Sequence, residues 1–288
     1  MKLFVYKIMS AILTCVMCVA IIGMHSVEAS ESFEVNEVTY HVLDRDSVEV
    51  KKYDGRESTV VIPEEVHGYK VRTISVAAFD GNKYIKKVTL PKSIEKIEKL
   101  AFRSSTLEQI DIPEYIEKIG YFAFEDTPLY ENAGDIKYVG NVCLGVEEDC
   151  NLKEINIKEG TRVIADGAFT ENQYITKVQL PYDLMYIGEA AFERCTNLTT
   201  INIPYSAKNN IGLYAFYKNK KLTNVSGDIE YLENTQAFLE TPLQAKKHAK
   251  EIVRTTFVLF AFLVCFLEVV LFGKLLLKKE IEKYERDK

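Results

Sequence analysis

The sequence predicts a strand-rich repeat solenoid with short helical turns, followed by one C-terminal transmembrane helix. Three observations carry this. An Ala-Phe pair recurs at Phe79, Phe102, Phe124, Phe169, Phe192 and Phe216, with a weaker copy at Phe238, at intervals of 23, 22, 45, 23, 24 and 22 residues. A short alternating apolar segment comes before the pairs at a near-constant distance, and an apolar run stands at each end of the chain.

The first 29 residues read as an export signal. Lys2 and Lys7 give a basic start, Ile8 to Ile22 an apolar run, and the Val27-Glu28-Ala29 stretch places small residues at minus three and minus one, so cleavage is expected after Ala29. The competing reading is an uncleaved anchor, because the run approaches spanning length. Cys15 and Cys18 lack the preceding small residue that lipid attachment needs. Residues 30–58 are expected to cap the solenoid, since 33–55 alternate like two strands joined by a turn.

The solenoid is expected over 59–238. Aligning the phenylalanines brings up VTLP (88–91), IDIP (110–113), INIK (155–158), VQLP (178–181) and INIP (201–204), then a second apolar pair: Ile94 and Ile97, Ile116 and Ile119, Leu184 and Ile187. Alternation suits a strand with one buried face, and proline ends it because it has no N–H for the ladder. A unit of this size cannot bury its apolar face alone, but stacked copies share one core, with phenylalanines in a ladder. The interval of 45 is about twice the period and marks an insert at about 127–150.

The units LTTINIPYSAKNNIGLYAF (198–216) and ITKVQLPYDLMYIGEAAFERCTNL (175–198) resemble the BspA-like family of leucine-rich repeats, and the resemblance covers about 33–238. The segment 127–148 is similar to a hairpin-bearing insert common in that family. The resemblance implies a secreted or surface-displayed leucine-rich-repeat solenoid, typically bacterial, associated with adhesion and host or matrix contact. Lys158 departs from the pattern in place of proline, Lys208 stands at a usually apolar place, and the unit near Phe238 is degenerate, as a terminal cap is.

A juxtamembrane linker (239–254) leads to the second apolar run, expected to span a membrane over 255–277 and to leave 278–288 as a cytoplasmic tail. At about 1.5 Å per residue this run crosses a hydrocarbon core of roughly 30 Å. Lysines flank it on both sides, so the export signal sets the orientation, with the solenoid outside the cell membrane. Glu268 lies inside the run, where a central carboxylate costs about 3 kcal/mol. It either contacts a partner transmembrane helix or is protonated near the cytoplasmic side, since the positions three and four away are Cys265, Val264, Leu271 and Phe272.

Chemistry is scarce. The net charge of −6 comes with interleaved signs and offers no basic face for nucleic acid. Repeated pairs such as Glu95/Lys96 and Glu117/Lys118 read as a solvated face, and no zinc, nucleotide or nucleophile motif occurs, so neither enzyme activity nor a cofactor or metal site is expected. Cys195 occupies what reads as a small apolar core slot, and a disulfide between Cys143 and Cys150 stays open. The candidate ligand face is the outward row of the strands: Lys87, Thr89, Gln109, Asp111, Glu154, Asn156, Lys177, Gln179, Thr200 and Asn202. Tyr115, Tyr130, Tyr138, Tyr174, Tyr182, Tyr186 and Tyr205 near the turns either meet a ligand or cover the core edge. The expected function is a membrane-anchored extracellular binding or adhesion module for a protein or glycan. The alternative is a scaffold subunit joined through its transmembrane helix.

Overall fold

In the computed structural model, residues 31–131, 135–147, 150–227, 235–244, 252–263 and 266 are described. The export signal with its Ala29 site, Glu268 and the 278–288 tail lie outside the described residues. In chain order the strands begin with β1 (Ser32–Val35), β2 (Val38–Val42), β3 (Ser47–Tyr53), β4 (Thr59–Val61), β5 (Glu65–Val66) and β6 (Tyr69–Ile74). There follow β7 (Lys87–Thr89), β8 (Lys96–Ile97), β9 (Gln109–Asp111), β10 (Lys118–Ile119), the short helix α1 (Pro128–Glu131), β11 (Ile136–Val139) and β12 (Val142–Val146). Last come β13 (Glu154–Asn156), β14 (Val163–Ile164), β15 (Lys177–Gln179), β16 (Tyr186–Ile187), β17 (Thr200–Asn202) and β18 (Asn224–Ser226).

Two units form, Met1–Glu147 with Gly160–Ala168 and Leu184–Gly188, and Glu148–Glu159 with Phe169–Asp183 and Glu189–Lys288. In the first, β4, β7 and β9 pair in parallel, and a second sheet runs β1-β2-β3-β6-β8-β10. A third joins β11, β12, β14 and β16. In the second unit β13, β15, β17 and β18 form one parallel sheet. The alternating segments supply β4, β7, β9, β13, β15 and β17, all but β13 closed by a proline, while the second apolar pairs supply β8, β10 and β16.

The N-terminal cap has three strands where the sequence suggested two. β1 turns into β2 through Asn36 and Glu37, both left-handed (φ 50° and 62°), the geometry of a two-residue hairpin turn. Because Glu replaces the usual glycine at the second position, the turn was not legible. β3 pairs antiparallel with β2 and parallel with β6, and so carries the cap onto the repeat sheet.

Each aligned phenylalanine is buried and stacked within its unit. Phe79, Phe102 and Phe124 stack at ring-centroid distances of 4.8 and 5.4 Å in one. Phe169, Phe192, Phe216 and Phe238 stack at 4.9, 5.4 and 4.8 Å in the other. Around them the backbone repeats a conformation that the sequence hides. Two residues before the phenylalanine, Ala77, Leu100, Phe122, Gly167, Ala190 and Tyr214 have positive φ, and two residues after it Gly81, Ser104, Asp126, Glu171, Arg194, Lys218 and Glu240 do. A non-glycine residue there costs on the order of 1–2 kcal/mol. The fold accepts this because these turns aim N–H groups at the next coil: Ala77 to Lys99 O, Phe79 to Ala101 O and Gly81 to Arg103 O, at 3.1, 2.7 and 2.8 Å.

Three residues after each phenylalanine sits a small polar side chain or Cys195, and all but Asn219, whose buried amide has no hydrogen-bond partner among the described residues, bond to backbone. Asn82 Oδ1 accepts from the Tyr84 and Ile85 N–H groups while its amide donates to Gly55 O, and Asn172 does the same with Tyr174, Ile175 and Cys150 O. Ser105, Thr127 and Thr241 donate instead to the carbonyl of their own phenylalanine. The slot holding Cys195 is thus a backbone-capping position, not a plain apolar one, and its thiol donates to Phe169 O at 3.0 Å.

The insert folds as α1 and the antiparallel hairpin β11-β12, with β12 pairing in parallel to β14. Lys137 is buried beneath it, its ammonium 2.8 Å from Glu147 and 5.2 Å from the centre of the Tyr130 ring. The glycine of the Ile-Gly signature is explained by crowding. A Cβ on Gly188 would come 2.5 Å from the backbone N of Asp166, and one on Gly120 would overlap the backbone of Glu98 and Lys99. We expect Phe192→Ala to cost about 3–5 kcal/mol by leaving a cavity. Gly188→Ala should destabilise with no side chain lost, both effects being read from urea midpoints of the full chain. A wild-type midpoint in either variant would remove the stacking account.

Candidate functional site

The ten face residues lie on two sheets. Lys87, Thr89, Gln109 and Asp111 belong to the first unit, while Glu154, Asn156, Lys177, Gln179, Thr200 and Asn202 belong to the second. The residues between them, Val88, Ile155, Val178 and Ile201, are buried and Ile110 is half-buried, so each strand turns its polar row outward. Register aligns these rows across the strands. In the first unit Thr59, Lys87 and Gln109 are neighbours, as are Val61, Thr89 and Asp111. In the second the row is Glu154, Lys177, Thr200 and Asn224, and Asn156 faces Gln179 while Asn202 faces Ser226.

Two of these rungs were missed in the sequence. Thr59 and Val61 come from STVVIP (58–63), which has the same alternation and proline as the others, and Asn224 and Ser226 come from LTNVS (222–226), which lacks the proline. Not every face residue is available to a ligand. Asn202 is half-buried and its amide is occupied by the Leu180 N–H and carbonyl at 2.6 and 2.8 Å. Lys177 lies 3.5 Å from Glu154, an exposed pair of small energetic weight.

The tyrosines divide. Tyr115, Tyr174, Tyr182 and Tyr205 are exposed, whereas Tyr130 and Tyr186 are partly buried against the first unit's core. Burial first, then the charges of Glu147, Glu125 and Cys143, push the Tyr130 phenol up to about 12. Tyr186 is also raised, by burial and by Glu117 beside it.

His41 Nδ1 meets Glu49 at 3.1 Å, and the His67 ring stacks on Phe33 at 4.6 Å. Cys143, Cys150 and Cys195 form no disulfide among the described residues; Cys143 and Cys195 are buried and Cys150 is half-buried. Among the described residues no group of three or more His, Cys, Asp and Glu could hold a metal ion. Residues 252–263 are helical with exposed apolar side chains, beginning three residues before the expected span. Among the described residues no helix is long and apolar enough to cross a membrane.

The model of the BspA type leucine rich repeat region matches six copies, over residues 58–143 and 146–258. Among solved structures the chain is similar to the leucine-rich repeat protein of T. pallidum, at 24% identity and TM-score 0.37 over 68% of this chain and 82% of that one. It is also similar to a leucine-rich repeat protein from Bacteroides ovatus, at 23% identity and TM-score 0.30 over 73% and 57%. The pneumococcal vaccine antigen PcpA is similar at 18% identity and TM-score 0.31 over 69% and 78%. No curated protein matches the chain.

Burial pushes the Cys195 thiol up to about 12 from its ordinary 9. A folded value above the unfolded one means that the stability present below pH 9 is lost as pH rises through 9 to 12. Stability should therefore fall over that window, with Tyr130 adding to the loss above pH 10, and Cys195→Ala should flatten the lower part of the slope. Thiol reagents should label Cys150 in the native protein and Cys195 only after unfolding. Native labelling of Cys195 at the rate of Cys150 would contradict its burial.

Proposed function

Since the chain belongs to the BspA-type leucine-rich-repeat family, whose model matches most of its length, we propose that it is a membrane-anchored extracellular module that binds or adheres to a protein or glycan. The observation that carries this reading is the pair of strand faces. Stacked turns hold polar side chains in fixed rows over a buried apolar layer, which suits each face to binding a large ligand. No enzymatic role and no cofactor enter the proposal.

The anchor is part of the proposal. In residues 252–263 the side chains of Ile252, Phe257, Leu259, Phe260, Phe262 and Leu263 are exposed, and the apolar sequence runs on to Leu277. Exposed apolar surface of that extent needs lipid or protein to cover it. A single-pass span over 255–277 supplies lipid, and the export signal at the start of the chain puts the repeats outside the cell. The scaffold reading, in which partner helices meet at Glu268, competes with it on that residue alone.

The full chain should partition into detergent with the membrane fraction. Protease added to intact cells should remove the repeats, and a chain stopped at residue 245 should appear in the medium. A full chain that remains in the soluble fraction, or repeats that are protected in intact cells, would overturn the anchor. If Glu268→Leu abolishes membrane cross-linking between copies, the scaffold reading prevails over a passive tether.

A further inference from the structure

The two strand faces differ in chemistry, and the difference points to a ligand. In the first unit the face carries Lys86 paired with Glu108 at 2.9 Å, together with Lys87, Asp111 and the exposed Val61. In the second unit, charge on the strands β13, β15, β17 and β18 is confined to Glu154 and Lys177, which face each other. Beyond that pair the outward residues are amides and hydroxyls: Asn156, Gln179, Thr200, Asn224 and Ser226. The side chains of Gln179, Asn224 and Ser226 make no hydrogen bond among the described residues.

Where β15 and β17 end, Pro181 and Pro204 are each followed by a tyrosine, so Tyr182 and Tyr205 occupy the same place on consecutive turns. They are 81% and 70% exposed. Their backbones are joined by Ser206, whose hydroxyl donates to Tyr182 O at 2.9 Å, and the Lys208 ammonium lies 3.9 Å over the Tyr205 ring and steadies it. β15 and β17 pair in parallel, at a strand spacing of about 4.8 Å, so the two tyrosines follow directly on neighbouring strands that carry the amide and hydroxyl rows.

We infer that this platform, made by Tyr182, Tyr205, Gln179, Asn224 and Ser226, binds a neutral glycan. The inference rests on the binding-module reading above and narrows its ligand. Amides and hydroxyls both donate and accept, as sugar hydroxyls do, and exposed tyrosine rings offer flat apolar faces to the C–H faces of a pyranose. On the strands the one cation, Lys177, faces Glu154, and Lys208 lies over the Tyr205 ring, so the rows themselves offer a polyanion little attraction. A protein partner would call for an apolar centre with a buried anchor, and this face presents tyrosine rings and polar rows instead.

Thermophoresis of the full chain in a sugar-free zwitterionic detergent, against laminarin, mannan and xylan, tests the inference, with heparin as the polyanionic control. At least one neutral polysaccharide should bind, with an affinity unchanged between low and high salt. The double variant Tyr182→Ala/Tyr205→Ala should weaken it tenfold or more at an unchanged melting temperature, and Gln179→Ala should weaken it severalfold. Lys87→Glu, on the other unit's face, should leave it intact. Binding to heparin alone, binding to none of the neutral polymers, or binding indifferent to the tyrosine pair would each overturn the glycan platform. A protein ligand captured by Lys87 and Gln109 in the same preparation would sink the glycan inference while leaving the binding-module reading standing.

Discussion

The rest of the structure depends on the hydrogen bond that the N–H of Phe79, Phe102, Phe169, Phe192 and Phe216 donates to the alanine carbonyl one turn further on. Phe102 reaches Ala123, Phe169 reaches Ala191, Phe192 reaches Ala215 and Phe216 reaches Ala237, all at 2.7–2.8 Å. Such a bond brings successive turns to backbone contact, where only a small side chain fits before the phenylalanine, and the alanines are accordingly buried. It also fixes the rise per turn, so the rings stack and the strands on either side fall into parallel register. Left-handed residues two before and two after the ring are the conformational cost of pointing consecutive N–H groups the same way.

From that constraint the surface follows. Charged residues on adjacent turns meet at one-turn spacing, as Asp80 meets Arg103 and Glu171 meets Arg194. These exposed pairs decorate the stack more than they hold it. The same spacing arranges the outward strand residues into rows, and a row becomes a recognition surface through its composition, which is why one unit presents amides and tyrosines and the other a charged mixture.

Much of the architecture was legible because periodicity writes it directly. Phenylalanine spacing gave the turns, alternation with proline gave the strands, and the doubled interval at 127–150 gave the insert, which proved to be a hairpin. What escaped lacked a chemical signature. Left-handed φ falls on Leu100, Tyr214 and Lys218, where side-chain type says nothing, and the Asn36-Glu37 turn hid the first strand. Cys195 looked apolar among neighbours that turned out to cap backbone. The candidate site was legible as a set of outward residues but not as a surface, because strand pattern does not say that Asn202 folds back onto Leu180 or which tyrosines face solvent.

The most direct measurement of the central claim is excision by whole and by partial turns. Removing residues 175–197, one turn from Ile175 to Asn197, brings Leu198 into the place of Ile175 and keeps every remaining phenylalanine in step. The shortened chain should keep a strand-rich circular dichroism spectrum and a cooperative, lower melting transition. Removing only the first half of that segment puts later rings out of step with Phe169 and should abolish the transition. Equal melting of the two excised chains would contradict the account, because the stacking register would then not be what holds the turns together.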